Sequence, residues 1–310
     1  MALPVAAVLG FVSAVAVTGC ARSPVKPSSG SELENAPGTT TLTSAISRSG
    51  VFGLFGGKND RGARTAPDRR FGATNPLDAL LAGDRPLANN GLCPPEMASI
   101  DDRYCVDRYE GSLVEVLPSG DERPWPFTQP MDGTGIALRA VSVPGVKPQG
   151  YISGKQAAEA CGRSGKRLCK PAEWKQACRG PARTQFGYGQ ERVDGTCNDH
   201  GRSPVRARIA EEPGSGWSWT WDRMNDPKLN AFEGTLADTG SHPACTNGYG
   251  VYDMVGNLHE WVDDADGTFL GGYYQDTHIN GDGCGYRTDA HSFTYHDYST
   301  GFRCCADVAQ

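Results

Sequence analysis

Asn247-Gly248-Tyr249-Gly250-Val251-Tyr252-Asp253-Met254-Val255-Gly256-Asn257-Leu258-His259-Glu260-Trp261 is the stretch on which the reading of this chain turns. Gly256-Asn257 permits a tight turn in which successive backbone carbonyls point inward. Glu260 places a carboxylate beside them. Carbonyls plus a carboxylate are the donors a hard cation such as calcium requires; a metal-free turn with Glu260 in a salt bridge is the other reading.

Two further segments flank it. Upstream lies Gly165-Lys166-Arg167-Leu168-Cys169-Lys170-Pro171-Ala172-Glu173-Trp174, continuing to Ala177-Cys178-Arg179-Gly180. Downstream, Gly271-Gly272 is followed at a distance by Gly301-Phe302-Arg303-Cys304. Local signals fix some elements. Ser153-Gly154-Lys155-Gln156 has the form of a capping box and opens a helix through Ala160. Pro171–Arg179 reads as a second helix, with Pro at its first position, Glu173 in its first turn and Gly180 past its end. Tyr104–Tyr109 and Leu113–Leu117 read as short strands. The remainder alternates Gly/Asn/Asp turns with short aromatic runs, and 40 Gly with 21 Pro fit a loop-rich chain. The class is α+β with few helices.

In this order and spacing the three segments resemble the formylglycine-generating enzyme (sulfatase-modifying factor) family, over about Cys93 to Ala306. The resemblance implies a variant of the C-type lectin fold. It also implies a calcium site on the carbonyls of Val255, Gly256 and Leu258 with the Glu260 side chain, and a second calcium site beginning at Asn198-Asp199. By the same resemblance Cys178 pairs with Cys304, closing a long loop worth on the order of 4 kcal/mol.

The family's reaction oxidises a cysteine of a sulfatase precursor to formylglycine with oxygen and copper(I), a soft ion held by two thiolates. Counted from Gly272, the positions of those thiols hold Asp276 and Gly281 here. Tyr273 stands where the family has Ser, and His259 where it has Trp. Cys284 is out of register and reads as a structural cysteine. The copper-dependent activity is therefore not expected. His278, Asp282, His291, Tyr295, His296, Asp297 and Tyr298 crowd the segment before Gly301. They read first as polar anchors of a long loop. The alternative is a metal- or oxygen-dependent centre on His278, His291 and His296 with Asp276, since imidazole and carboxylate suit iron or another transition metal. An acid–base or sugar-binding groove is the third reading.

The N-terminus is a different material. Leu3–Val17 is almost wholly apolar, too short to span a bilayer, and ends in Val17-Thr18-Gly19-Cys20. Residues 1–19 therefore read as a signal peptide. The ending resembles the bacterial lipobox, which implies lipidation at Cys20 and a membrane tether, and Ala21 after it points to the outer membrane of a two-membrane bacterium. Residues 20–90 carry no cysteine beyond Cys20, little apolar pattern apart from Val51–Phe55 and a short stretch near Leu77–Leu81, and a slightly basic balance. They read as a flexible Ser/Pro/Gly-rich stalk. Residues 91–310 form the domain. Its cysteines are Cys93, Cys105, Cys161, Cys169, Cys178, Cys197, Cys245, Cys284, Cys304 and Cys305, an even set without a C-x-x-C pair. In an exported protein that pattern favours disulfides over zinc, with Cys93 and Cys105 candidates to bridge neighbouring strands. The net charge of −6 and the lack of a basic stripe with interleaved aromatics point away from nucleic acid. The expected role is a calcium-stabilised binding or assembly module for a protein or glycan ligand.

Overall fold

The computed structural model describes residues 91–309, apart from Ser215 and Ala290. The predicted signal peptide (1–19), the lipidation site Cys20 and the stalk (20–90) lie outside the described residues. Three small sheets carry the domain. The first runs β1 (Met97–Ile100), β2 (Tyr104–Asp107), β11 (Cys304–Asp307) and β6 (Arg167–Leu168), so the C-terminal strand is inserted between two N-terminal ones. The second orders β10 (Thr300–Phe302), β7 (His259–Trp261), β8 (Phe269–Leu270) and β9 (Arg287–Thr288), with β10 parallel to β7. The third is β4 (Glu122–Pro124), β3 (Ser112–Val116) and β5 (Leu138–Val141).

Helix α1 (Gly154–Arg163) starts at the expected capping box: Ser153 Oγ accepts from the Gln156 N–H at 3.3 Å, and Gln156 Oε1 accepts from the Ser153 N–H at 2.9 Å. It extends three residues beyond Ala160 and buries Gly154, Ala157, Ala160 and Cys161 on one face. Helix α2 spans Pro171–Arg179 as predicted, with Glu173 accepting from the Lys170 N–H and Gly180 in the left-handed region at φ 65°. Two shorter helices, α3 (Pro204–Glu211) and α4 (Trp221–Met224), lie in the long segment before β7.

Alternate residues of a strand face opposite sides of a sheet. On β11, Cys304 joins the core that holds α1, with Leu168, Trp261 and Phe302, whereas Cys305 joins the core that holds α2, with Cys169, Trp174 and Cys178. Five disulfides follow: Cys93–Cys105, Cys161–Cys304, Cys169–Cys305, Cys178–Cys284 and Cys197–Cys245. The expected Cys178–Cys304 bridge is corrected by this geometry. Cys304 is on the α1 face of the sheet and bonds Cys161. Cys178, at the end of α2, bonds Cys284 in the 3-10 turn Gly283–Gly285. Cys93–Cys105 matches the expectation.

Candidate functional site

The centre of the family motif is β7, and its residues serve two different surroundings. Glu260 points into an apolar interior and is only 1% exposed. Its Oε1 accepts from Arg303 Nη2 (2.7 Å). Its Oε2 accepts from Arg303 Nε (2.7 Å) and from the Trp174 indole N–H (2.6 Å). Arg303 is itself fully buried and donates further to the carbonyls of Asp107, Arg108 and Tyr252. Burial would draw its proton off, and the facing Glu260 more than offsets that, so the guanidinium is held charged. The three sequence segments meet at this one ion pair: Trp174 from α2, Glu260 from β7 and Arg303 from the loop into β11.

The turn before β7 is as tight as expected. Gly256 has φ 82°, and a side chain there would strike the Asn198 carbonyl, 2.3 Å from an ideal Cβ. Asn257, at φ 56°, donates its backbone N–H to that same carbonyl, and Nδ2 of Asn257 donates to Glu110 Oε2. The Leu258 N–H donates to Glu110 Oε1 (3.1 Å). Glu110, Asp253 and Glu260 are three buried carboxylates facing one buried guanidinium. Burial first, and the neighbouring carboxylates second, push Glu110 well above the usual range; burial raises Asp253 to about 6.

The calcium ligands expected at Val255, Gly256, Leu258 and Glu260 do not fit this arrangement. The one carboxylate of the set is bound by a guanidinium and an indole. Asn198 uses its carbonyl and its amide to close the turn, donating to Thr235 O and Asn257 Oδ1 at 2.9 Å. Glu260 is in a salt bridge, with Arg303.

Beyond the paired glycines the family's thiol positions are occupied by turn-forming residues. Gly272 has φ 74°, with the Asp276 carbonyl 2.3 Å from where a Cβ would sit. Asp276 Oδ1 accepts from the backbone N–H groups of His278 (2.9 Å) and Ile279 (3.0 Å), and its Oδ2 accepts from the Tyr286 hydroxyl (2.9 Å). It holds the loop together. Cys284 is tied to Cys178, and all ten domain cysteines are bonded to one another. Among the described residues no cysteine is left as a free thiol to hold copper(I).

The three candidate histidines do not converge. His278 is exposed and stands 3.6 Å from Asp276. His291 is stacked between Phe269 (ring centroids 5.6 Å) and Tyr295 (4.1 Å). His296 is buried, with Nδ1 at 2.6 Å from Asn225 Oδ1 and Nε2 at 2.7 Å from Asp132 Oδ2, so both ring nitrogens are engaged. Among the described residues no three His, Cys, Asp or Glu side chains gather as a metal site.

What does assemble is an aromatic ladder. His259 is buried against Phe269, Tyr273 and Tyr286, at centroid distances of 4.7, 4.9 and 5.4 Å. Burial pulls its ring down to about 3, so it is neutral throughout the physiological range, and its Nδ1 lacks a hydrogen-bond partner. From Phe269 the ladder passes through His291 and Tyr295 to Trp221, which also packs its ring at 4.5 Å from His296. Trp221 is 47% exposed and Trp219, two residues away, 71%. His259, Tyr273 and Tyr295 stand out in the sequence, whereas Phe269, Tyr286 and Trp221 do not. The alternation Trp217-Ser218-Trp219-Thr220-Trp221 was the available signal.

The family model for the sulfatase-modifying factor enzyme 1-like domain matches residues 129–307. The mouse (Mus musculus) protein "Formylglycine-generating enzyme" is 28% identical over 118 residues, which cover 37% of this chain and 26% of that protein. This chain thus spans about a quarter of that relative's length. Among solved structures, the I1 and M1 variants of the Major Tropism Determinant superpose with TM-scores of 0.37 and 0.39. Both are 14% identical to this chain, covering 70% and 73% of it and 54% and 55% of theirs. With the family's motifs gathered on one buried ion pair and its profile covering more than half of the sequence, this chain belongs to the sulfatase-modifying factor enzyme 1-like family.

Proposed function

We propose that this chain is a cell-envelope lipoprotein, anchored through Cys20, whose domain is a non-catalytic member of its family and acts as a binding module. One observation carries the reading: where the family reaction needs two thiolates, this domain has a loop-anchoring carboxylate, a glycine and a cysteine already in a disulfide. The domain keeps the buried Glu260–Arg303 hub and, in this reading, the lectin-like fold that the family resemblance implies. The ligand face is the aromatic ladder that ends at Trp221, and the ligand is a glycan, because flat exposed rings beside hydrogen-bonding side chains suit the apolar faces and hydroxyls of sugars.

Two measurements test this. The purified, disulfide-intact domain supplied with copper(I) and oxygen leaves a sulfatase-derived cysteine peptide unchanged by mass spectrometry; aldehyde formation would overturn the reading. Titration with soluble oligosaccharides changes tryptophan fluorescence in the wild type and not in Trp221→Ala. A response to peptides alone would make the ligand a protein.

A further inference from the structure

We infer that a cleft against α2 is a binding site for a soluble ligand bearing phosphate or sulfate groups. The cleft encloses about 620 Å³, within the range of roughly 300–1,000 Å³ common for small-molecule sites. Lys175 and Arg179 reach it from one face of α2, spaced one helical turn apart. Arg183 enters from the loop after the helix and Arg103 from the β1–β2 turn. Four cations from three segments therefore surround one opening, on a chain whose net charge is −6.

Among the described residues these four cations have no carboxylate within ion-pair distance. Several arginines elsewhere in the domain are paired, Arg139 with Glu122, Arg167 with Glu173, Arg192 with Asp199, Arg208 with Asp226 and Arg303 with Glu260, so what sets the cleft apart is that its four cations converge on one opening. The cleft's one acid, Asp101, is turned onto the wall, where it accepts from Gln176 Nε2 (2.6 Å) and the Tyr249 hydroxyl (2.5 Å). Burial and that bond push the Tyr249 phenol up to about 12, so it stays neutral and adds no negative charge.

A helix C-terminus attracts cations, which would account for Arg179 without any ligand. Here, however, the terminal carbonyls are already capped. Asn247 Nδ2 donates to Ala177 O (2.8 Å) and Cys178 O (3.0 Å), and the Thr184 N–H donates to Arg179 O (2.9 Å). Nor would the dipole account for Lys175 or for Arg103 on another element. The walls are rigid as well: the Cys178–Cys284 disulfide pins the helix end, and the Tyr104 hydroxyl donates to the Glu173 carbonyl. Several cations converging on one recess are how a protein selects an oxyanion that can accept several charge-assisted hydrogen bonds. The cleft and the aromatic ladder share no residue, so this inference stands apart from the glycan reading.

The test is calorimetric titration of the oxidised domain with inorganic pyrophosphate. One-to-one binding that weakens as salt rises is expected. Lys175→Gln with Arg179→Gln should weaken it by about tenfold or more. Arg183→Asn, which tolerates the φ of 53° at that position, should weaken it several-fold. Arg123→Gln, at the Glu115 ion pair on β4, should bind as the wild type does. These side chains are on the surface, and an unchanged unfolding midpoint confirms that the variants are folded. Absence of wild-type binding at millimolar pyrophosphate, or equal binding by the double variant, would overturn the proposal. So would attachment to phosphatidylglycerol vesicles that pyrophosphate does not displace, since the site would then serve a membrane surface.

Discussion

Residues 259 and 260 are neighbours on β7, yet they face opposite surroundings. On one side Glu260 is matched by a buried guanidinium and an indole, and each of its oxygens has a partner. On the other side His259 sits among aromatic rings with one nitrogen unpartnered. The first side ties together α2, β7 and β11 and holds the fold. The second carries the aromatic ladder. A strand can thus keep one face fixed while the other is refitted, because its alternating side chains answer to different neighbours.

Four experiments break or sharpen that contrast. Arg303→Ala should be the most damaging, since it strands Glu260 without its partner; about 3–5 kcal/mol of stability should be lost, read from the denaturant midpoint of the oxidised domain. A loss below about 1 kcal/mol would show that the pair is not the hub. Next, Cys161→Ser with Cys304→Ser opens the bridge beside Arg303 and should cost about 2–5 kcal/mol.

The third experiment concerns acid. His259 is held down to about 3 against an ordinary value near 6.5, so its contribution is whole above 6.5 and is lost as pH falls through the window to 3. Asp253 has the opposite sign. Raised from 3.8 to about 6, it contributes below 3.8 and loses that contribution as pH rises through 6. His259→Phe should therefore flatten the fall in stability between pH 6.5 and 3, with a change of under about 1 kcal/mol at pH 7. Asp253→Asn, which can still accept from the Gly240 N–H, should gain on the order of 1 kcal/mol at neutral pH and little near pH 4. Identical stability–pH curves for wild type and His259→Phe would remove the distinction between the two faces. Last and smallest, removing calcium with EGTA should leave the unfolding midpoint where it was; a calcium-dependent rise of several degrees would return Glu260 to the ligand role expected from the sequence.

Where each signal was local, the sequence disclosed it. The capping box at Ser153 and the Pro171 start needed only neighbouring residues, and both helices begin where those signals placed them. The Gly256-Asn257 turn was legible for the same reason. The local Cys93–Cys105 bridge was legible too, but the long-range partners were not, because Cys178 and Cys304 part company only once β11 is inserted between β2 and β6. The role of Glu260 depended on Arg303, 43 residues away, whose guanidinium turned the expected ligand into an ion-pair partner. The ladder draws on residues from Trp221 to Tyr295 and appears only in the folded chain. Half of the basic cleft was visible as Lys175 and Arg179 one turn apart, but Arg103 and Arg183 come from other segments, and an acidic total concealed them.

The adjacent sulfurs of β11 have a consequence for how this chain reaches its native state. They bond in opposite directions, one toward α1 and one toward Cys169, two residues before α2. Slipping the strand by a single residue would turn each sulfur to the opposite face of the sheet, away from its own partner. The pair therefore works as a parity check on the final strand: only one alignment lets both bonds close, and the covalent record of that alignment can be read afterward by peptide mapping. Inserting one glycine between Cys304 and Cys305 leaves Arg303 in place but sets both sulfurs on one face, and should then yield exchanged or unpaired sulfurs in place of an otherwise native domain.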